Sequence, residues 1–131
     1  LDQIDAVLQV AALDDEAFSS YVALNGQFHK QLSEMADSAV LAREIERASS
    51  LPFASASGFV GVHVHDPHAR DTLVVAQHQH RQVLDAIERR EAGRAEAIMR
   101  EHSRIARQNM QVALRDPASS GTPGVQLIRP S

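Results

Sequence analysis

Apolar residues recur at every third or fourth position along most of this chain, which is the spacing of one face of an α-helix. The longest stretches cover residues 15–36, 67–90 and 92–114, with Gly93 marking the last turn, and shorter ones cover 2–13 and 38–49. Pro52 precedes a weaker helical segment at 53–60. Abundant alanine and the lack of tryptophan also favour helices. We therefore predict an all-α protein, an antiparallel helical bundle of about six helices with an internal pocket.

The composition narrows the class of protein. The chain has 131 residues, enough for about one domain, and a formal net charge of −4, which disfavours binding of bare DNA. It has no cysteine, which excludes a disulfide or a thiolate metal site. We see no apolar run of about 20 residues and no signal peptide, so we expect a cytoplasmic protein without a membrane partner. Because Leu1 already lies in a helical pattern, we expect a piece of something longer.

Three of the seven histidines, His29, His80 and His102, lie within apolar stripes on three different predicted helices. A buried polar group without a partner costs roughly 1–3 kcal/mol, and one shared metal ion would satisfy all three imidazoles. Asn25 lies four residues before His29 and points the same way. Neutral imidazoles suit Zn²⁺, Ni²⁺, Cu²⁺ and Fe²⁺, among which we expect Zn²⁺ or Ni²⁺.

Other histidines offer an alternative metal site. His63, His65 and His68 form a run in a predicted loop, which either binds a surface metal or is simply solvated. His78 is expected to be exposed because it lies two residues from a stripe position. Any single histidine in a stripe also has a simpler interpretation, that of a core residue bonded to the backbone.

The inward stripes carry no carboxylate near the histidines, and hydrolytic metal sites usually need one as a base. Glu101 adjoins His102 but projects about 100° away from it on a helix. No nucleophile or phosphate-loop motif is present. We therefore expect no enzymatic activity, and keep a three-histidine metalloenzyme and a purely structural helical module as alternatives.

Three segments resemble the motifs of one family. Residues 24–29 resemble N/D-x-x-F-H, residues 79–87 resemble E-H-x-x-I-x-x-A-I, and residues 95–102 resemble A-x-x-x-M-x-x-H. Leu51–Pro52–Phe53–Ala54–Ser55 is similar to a segment found in many members. Together they resemble the FCD domain, the C-terminal effector-binding domain of the FadR subfamily of GntR transcriptional regulators, over about residues 1–115.

The resemblance implies a divalent metal held inside the bundle, with Asn25, His29, His80 and His102 at the family's ligand positions. Asn25 stands where many metal-binding members have Asp, which puts its coordination in question, and Gln79 stands where Glu is usual.

Four neutral ligands would leave the charge of the metal uncompensated, which favours the carboxylate of a small organic acid as a further ligand. Members of the family often sense such acids. Gln77 and Asn109 lie on the stripes of His80 and His102, so they either bind this effector or are satisfied buried amides.

The resemblance also predicts the domain organisation. Residues 1–115 form the effector-binding domain, and residues 116–131, rich in Pro, Gly and Ser, form a flexible tail. The family's first helix and its winged helix-turn-helix domain are absent from this sequence, so DNA would be bound only through that missing domain. A homodimer is implied, in which the effector shifts the population between two arrangements.

Overall fold

Five α-helices make up the part of the chain that the computed structural model describes, which is residues 1–10, 13–50 and 69–115, with the backbone alone at 69, 109, 110 and 112–115. They are α1 (Asp2–Leu8), α2 (Asp15–Glu34), α3 (Ala39–Ser49), α4 (Ala69–Glu88) and α5 (Ala92–Arg115). These ranges contain no strand, which confirms the all-α prediction. The predicted helix at 53–60, the loop histidines His63, His65 and His68, and the tail at 116–131 lie outside the described residues.

Side-chain caps fix where α2 and α3 begin. Asp14 Oδ1 accepts a hydrogen bond from the Ala17 N–H at 2.8 Å, and Ser38 Oγ accepts one from the Leu41 N–H at 3.3 Å. Such caps satisfy amides that have no partner within the helix and each contribute about 1 kcal/mol. The predicted starts, an aspartate before the second helix and a serine at the third, are therefore confirmed.

The prediction that the first helix extends to residue 13 is wrong, because α1 ends at Leu8. The carbonyl oxygen of Leu8 accepts hydrogen bonds from Arg70 Nε at 3.0 Å and Arg70 Nη2 at 2.8 Å. A guanidinium from α4 thus satisfies a carbonyl at the helix end. This partner is 62 residues away, so helical periodicity alone does not reveal the end of α1.

A tight turn joins α4 and α5 into an antiparallel hairpin. The N–H of Arg90 donates to Ile87 O at 2.9 Å and that of Glu91 donates to Ala86 O at 2.8 Å, which is the Schellman pattern. Arg90 has a φ of 61°, in the left-handed region. Gly93 lies inside α5 instead of in the turn, so the predicted position of the turn is corrected by a few residues.

The apolar core lies where α1, α2 and α4 meet. Its buried members are Ile4, Leu8, Tyr21, Phe28 and Leu73. Helix α3 contacts α2 but buries none of its own residues against the described chain. Within that same part, no helix is long and apolar enough to cross a membrane.

Candidate metal centre

One histidine from each of three helices meets at the centre of the candidate site. His29 lies on α2, His80 on α4 and His102 on α5. The antiparallel hairpin brings His80 Nε2 to 3.2 Å from His102 Nε2, although 22 residues separate them. One ring nitrogen from each of the three histidines lies within 4.8 Å of the others, so the three residues can hold a metal ion.

The three imidazoles differ in how deeply they are buried. His80 is 0% exposed, whereas His29 and His102 are partly buried. The ring of Phe28 lies 4.4 Å from that of His80, centroid to centroid, and meets the ring of His29 edge-on at 5.4 Å. His29 Nε2 is buried and has no hydrogen-bond partner among the residues that the structure describes. A buried nitrogen of this kind needs a partner, which a cation would provide.

Burial keeps the cluster uncharged. It lowers the pKa of His80 to about 3, with smaller contributions from His102 and His29. It lowers the pKa of His29 to about 4, with a further contribution from His102. Burial also lowers the pKa of His102. Neutral imidazoles are the form that coordinates a metal, so at neutral pH no proton has to leave the site before a metal enters.

Two glutamines of α4 orient two of the rings. Gln77 Oε1 lies 3.2 Å from His80 Nδ1, and Gln79 Oε1 lies 3.1 Å from His102 Nδ1. A glutamine oxygen only accepts, so in this orientation of the two amides each imidazole donates from Nδ1 and keeps a lone pair on Nε2. Histidine ligands of metals are commonly held in this way, with the second ring nitrogen donating to an oxygen.

The resulting arrangement of the Nε2 atoms fits a metal ion. Two lone pairs that face each other at 3.2 Å repel unless a positive charge lies near both. Two imidazole nitrogens bound to one tetrahedral zinc ion lie about 3.3 Å apart, given Zn–N bonds of about 2.0–2.1 Å. The donor set and the spacing therefore suit a divalent cation of that kind.

Asn25 and Gln77, predicted from the sequence, are both buried, at 3% and 4% exposure. Asn25 lies one helical turn before His29. Gln77 bonds to His80 and to α1, so its amide already has protein partners. The side chain of Asn109 lies outside the described residues. Coordination by Asn25 and effector binding by Gln77 and Asn109 stay predictions.

The histidine predicted to point away from the site does so. His78 is exposed and its Nε2 lies 3.1 Å from Gln82 Nε2 on the same helix. Glu101, predicted to turn away from the histidines, pairs with Arg104 at 2.5 Å. Among the described residues, no carboxylate belongs to the cluster of three histidines.

The residues that support the histidines are not evident from the sequence. Gln79 departs from the family motif, and its contact with His102 depends on the packing of α5 against α4. The spacing of Gln77 three residues before His80 is a signal that was available, since such pairs are neighbours on a helix. The role of Asp5, which bonds to Gln77 across 72 residues, has no local signal.

A cleft of about 420 Å³ lies between α2 and α3, as bounded by the described residues. His29 and Lys30 line it from α2, and Ala42 and Ile45 line it from α3. The cleft therefore joins one of the three histidines to a wall that is partly apolar and carries one lysine and two glutamates.

The fold and the site together define an all-helical domain with a buried cluster of three histidines. A family model for the FCD domain matches residues 1–104, so the chain belongs to the FCD domain family. FCD domains are regulatory, effector-binding domains of GntR-type regulators. A search of curated proteins finds no match to this chain.

Proposed function

We propose that this chain is the effector-sensing domain of a GntR-type transcriptional regulator of the FadR subfamily. It binds a divalent metal, Zn²⁺ or Ni²⁺, through His29, His80 and His102, with Asn25 as a further ligand. A small organic acid binds at the metal and modulates DNA binding by the winged helix-turn-helix domain of the regulator. The regulator acts in the cytoplasm as a homodimer, and the domain has no enzymatic activity of its own.

One observation carries the metal proposal. His80 and His102 direct Nε2 atoms at each other at 3.2 Å while both Nδ1 atoms face glutamine oxygens. With both amides in this orientation, hydrogen bonding leaves the two lone pairs unsatisfied, and the buried His29 Nε2 is a third nitrogen without a hydrogen-bond partner among the described residues. A cation satisfies all three together. When bound, the metal would act as a Lewis acid that attracts an anionic ligand.

The charge balance supports the acid effector. The described ligand cluster is entirely neutral, so a divalent ion there keeps its charge unless an anion joins it. The cleft beside His29 offers a way in for a small ligand. Its wall carries Lys30 together with Glu34 and Glu46, so the attraction for a carboxylate would come from the metal and not from the wall. The lack of a carboxylate in this cluster also favours sensing over hydrolysis, which usually needs a carboxylate base.

The metal proposal is tested by measuring the metal content and the zinc affinity of protein purified without a His-tag. Wild-type protein should bind one equivalent, and His80→Ala should weaken binding by at least about 100-fold because a ligand is lost. His78→Ala is the matched control, since His78 lies on the same helix but is exposed. It should leave the affinity unchanged.

Metal binding by the loop histidines is the outcome that would contradict the proposed site. If His63→Ala abolished metal binding while His80→Ala retained it, the proposed site at His80 would be wrong and the metal would be bound by the loop histidines. If the wild-type protein bound no divalent metal, the structural-module alternative would replace the proposal.

The effector is tested by calorimetry with small mono-, di- and tricarboxylic acids, with and without Zn²⁺. An acid that binds through the metal should lose its affinity when the metal is removed with a chelator. Equal affinity in both conditions would contradict coordination of the acid by the metal.

A further inference from the structure

The amide of Gln77 is held in one orientation by helix α1. Its Nε2 donates to Asp5 Oδ1 at 2.7 Å and to the backbone oxygen of Leu1 at 3.1 Å. Both partners are acceptors only. If the amide were reversed, its oxygen would face two other oxygens, so the ambiguity that usually attends a glutamine amide is resolved here.

This orientation decides which nitrogen of His80 carries the hydrogen. With Nε2 of Gln77 turned to α1, Oε1 faces His80 Nδ1 at 3.2 Å and accepts from it. The hydrogen is then on Nδ1, and Nε2 keeps the lone pair that faces the cluster. That is the form of the imidazole that binds a metal through Nε2.

Asp5 is itself held in place by Arg81. Arg81 Nε donates to Asp5 Oδ2 at 2.8 Å, and Arg81 Nη2 bonds both the same oxygen and Asp2 Oδ1. Burial raises the pKa of Asp5, but hydrogen bonds from Arg81 and Gln77 outweigh burial and keep it below its usual value. The carboxylate is therefore ionised at neutral pH and free to accept from Gln77 through its other oxygen.

We propose that Asp5 is a positioning residue for the metal centre, which selects the Nδ1–H tautomer of His80 by fixing the amide of Gln77. The role of Asp5 in metal binding rests on the proposed function. The selection of the His80 tautomer does not, because it takes place without metal. It gives Gln77 a role in orienting a ligand. It also links α1 to the centre of the site through two hydrogen bonds.

The test compares two aspartates that both pair with Arg81. Asp5 touches Gln77, whereas Asp2 does not and its side chain is 95% exposed. Long-range ¹H–¹⁵N spectra of the metal-free 131-residue chain report the tautomer of His80 directly. Competition with a chromophoric chelator reports the zinc affinity of the same samples.

Wild-type protein and Asp2→Ala should show the Nδ1–H tautomer of His80 and the same zinc affinity. Asp5→Ala should give a mixture of tautomers and bind zinc about tenfold more weakly, the usual scale for loss of a supporting residue. Asp5→Asn keeps the size of the side chain but has a single oxygen, which the N–H groups of Arg81 would bind, so its amide nitrogen would face Gln77 and the tautomer should shift as it does in Asp5→Ala. A general loss of packing is not expected from a substitution of equal size.

Two results overturn the proposal. One is an unchanged His80 tautomer and zinc affinity in a folded Asp5→Ala variant. The other is an Nε2–H tautomer in the wild-type protein, which decides the matter even if Asp5→Ala does not fold. If the tautomers respond as expected but the wild-type protein binds no metal, Asp5 does position His80 and it is the metal-binding function that fails.

Discussion

His80 and His102 face each other across the hairpin, and each is backed by a glutamine, but only one of the two glutamines is anchored. Gln77 is 4% exposed and its nitrogen donates to two acceptors on the α1 side. Gln79 is partly exposed, and the structure shows no acceptor for its nitrogen within the described ranges. The same pair of residue types therefore holds the imidazole of His80 in one orientation and leaves that of His102 adjustable.

Because the Gln79 amide can reverse, the tautomer of His102 can change in the metal-free protein. If the Gln79 amide reverses, its nitrogen donates to His102 Nδ1, and the hydrogen of His102 moves to Nε2. His102 Nε2 then donates to the lone pair of His80 across their 3.2 Å separation. Loading a metal would require a change of tautomer only at His102. A glutamate at position 79 could not behave in this way, because a carboxylate only accepts.

The largest expected effect is the dependence of stability on pH. The folded-state pKa of His80 is about 3 and that of His29 about 4, whereas unfolded histidine titrates near 6.5. The unfolded chain therefore binds more protons below pH 6.5, and the free energy of unfolding of metal-free protein should fall as pH drops from about 6.5 to about 4. Each histidine contributes up to about 1.4 kcal/mol per pH unit in this window.

Urea denaturation at a series of pH values measures this slope and separates the two sides of the site. His80→Gln should flatten the dependence more than His102→Gln, because His80 is wholly buried and His102 is not. His78→Gln removes an exposed imidazole from the same helix and should leave the slope unchanged. Equal flattening by the first two variants would contradict the asymmetry.

The next effect concerns the glutamines themselves. Gln77→Leu leaves the buried Nδ1–H of His80 without its acceptor, so we expect a loss of about 2 kcal/mol in the free energy of unfolding. Gln79→Leu should cost less than about 1 kcal/mol, because water can replace the partner of a half-exposed group. Chemical denaturation of both metal-free variants at pH 7.5 makes the comparison. Similar losses would mean that Gln77 is no better anchored than Gln79.

Glutamate substitutions should move the metal affinity in opposite directions. Gln79→Glu fixes the hydrogen of His102 on Nδ1 and frees Nε2, so zinc binding should tighten, by about tenfold. Gln77→Glu places a second carboxylate 2.7 Å from Asp5 Oδ1 and should weaken zinc binding. Chelator competition measures both affinities. A shift of the same sign in both variants would show that the two sides do not differ.

The sequence predicts much of the fold because the relevant signals are local. The helical period identifies α2, α4 and α5, and side-chain caps at Asp14 and Ser38 mark two helix starts. The end of α1 depends on Arg70, a partner distant in sequence, and no local pattern contains it. The turn before α5 uses Arg90 in a conformation that usually selects glycine, which is why Gly93 was a misleading signal.

In the candidate site, too, local sequence signals predict some residues and tertiary packing determines the others. Helical phase picked out His29, His80 and His102 as inward residues, and the structure brings all three together. Phase says nothing about which ring nitrogen faces the centre. For His80 that choice depends on Asp5 and Gln77, which meet only after α1 packs against α4. The cluster of three histidines could thus be predicted from the sequence, whereas the groups that orient them could not.

The smallest expected effect is on the free energy of unfolding, from a substitution in the turn that joins the helices of His80 and His102. Arg90 adopts a left-handed φ of 61° in the turn of the hairpin, which costs a residue with a Cβ atom about 1 kcal/mol relative to glycine. Arg90→Gly should therefore raise the free energy of unfolding by about 0.5–1 kcal/mol. Arg90→Ala removes the same side chain and keeps the strain, so it serves as the matched control and should not stabilise the protein.

Because the turn lies two or more helical turns from either histidine, a change there acts on both sides equally. The zinc affinity and the tautomer of His80 should stay as in the wild-type protein, and a change in either would show that the hairpin turn, as well as α1, sets the geometry of the ligands.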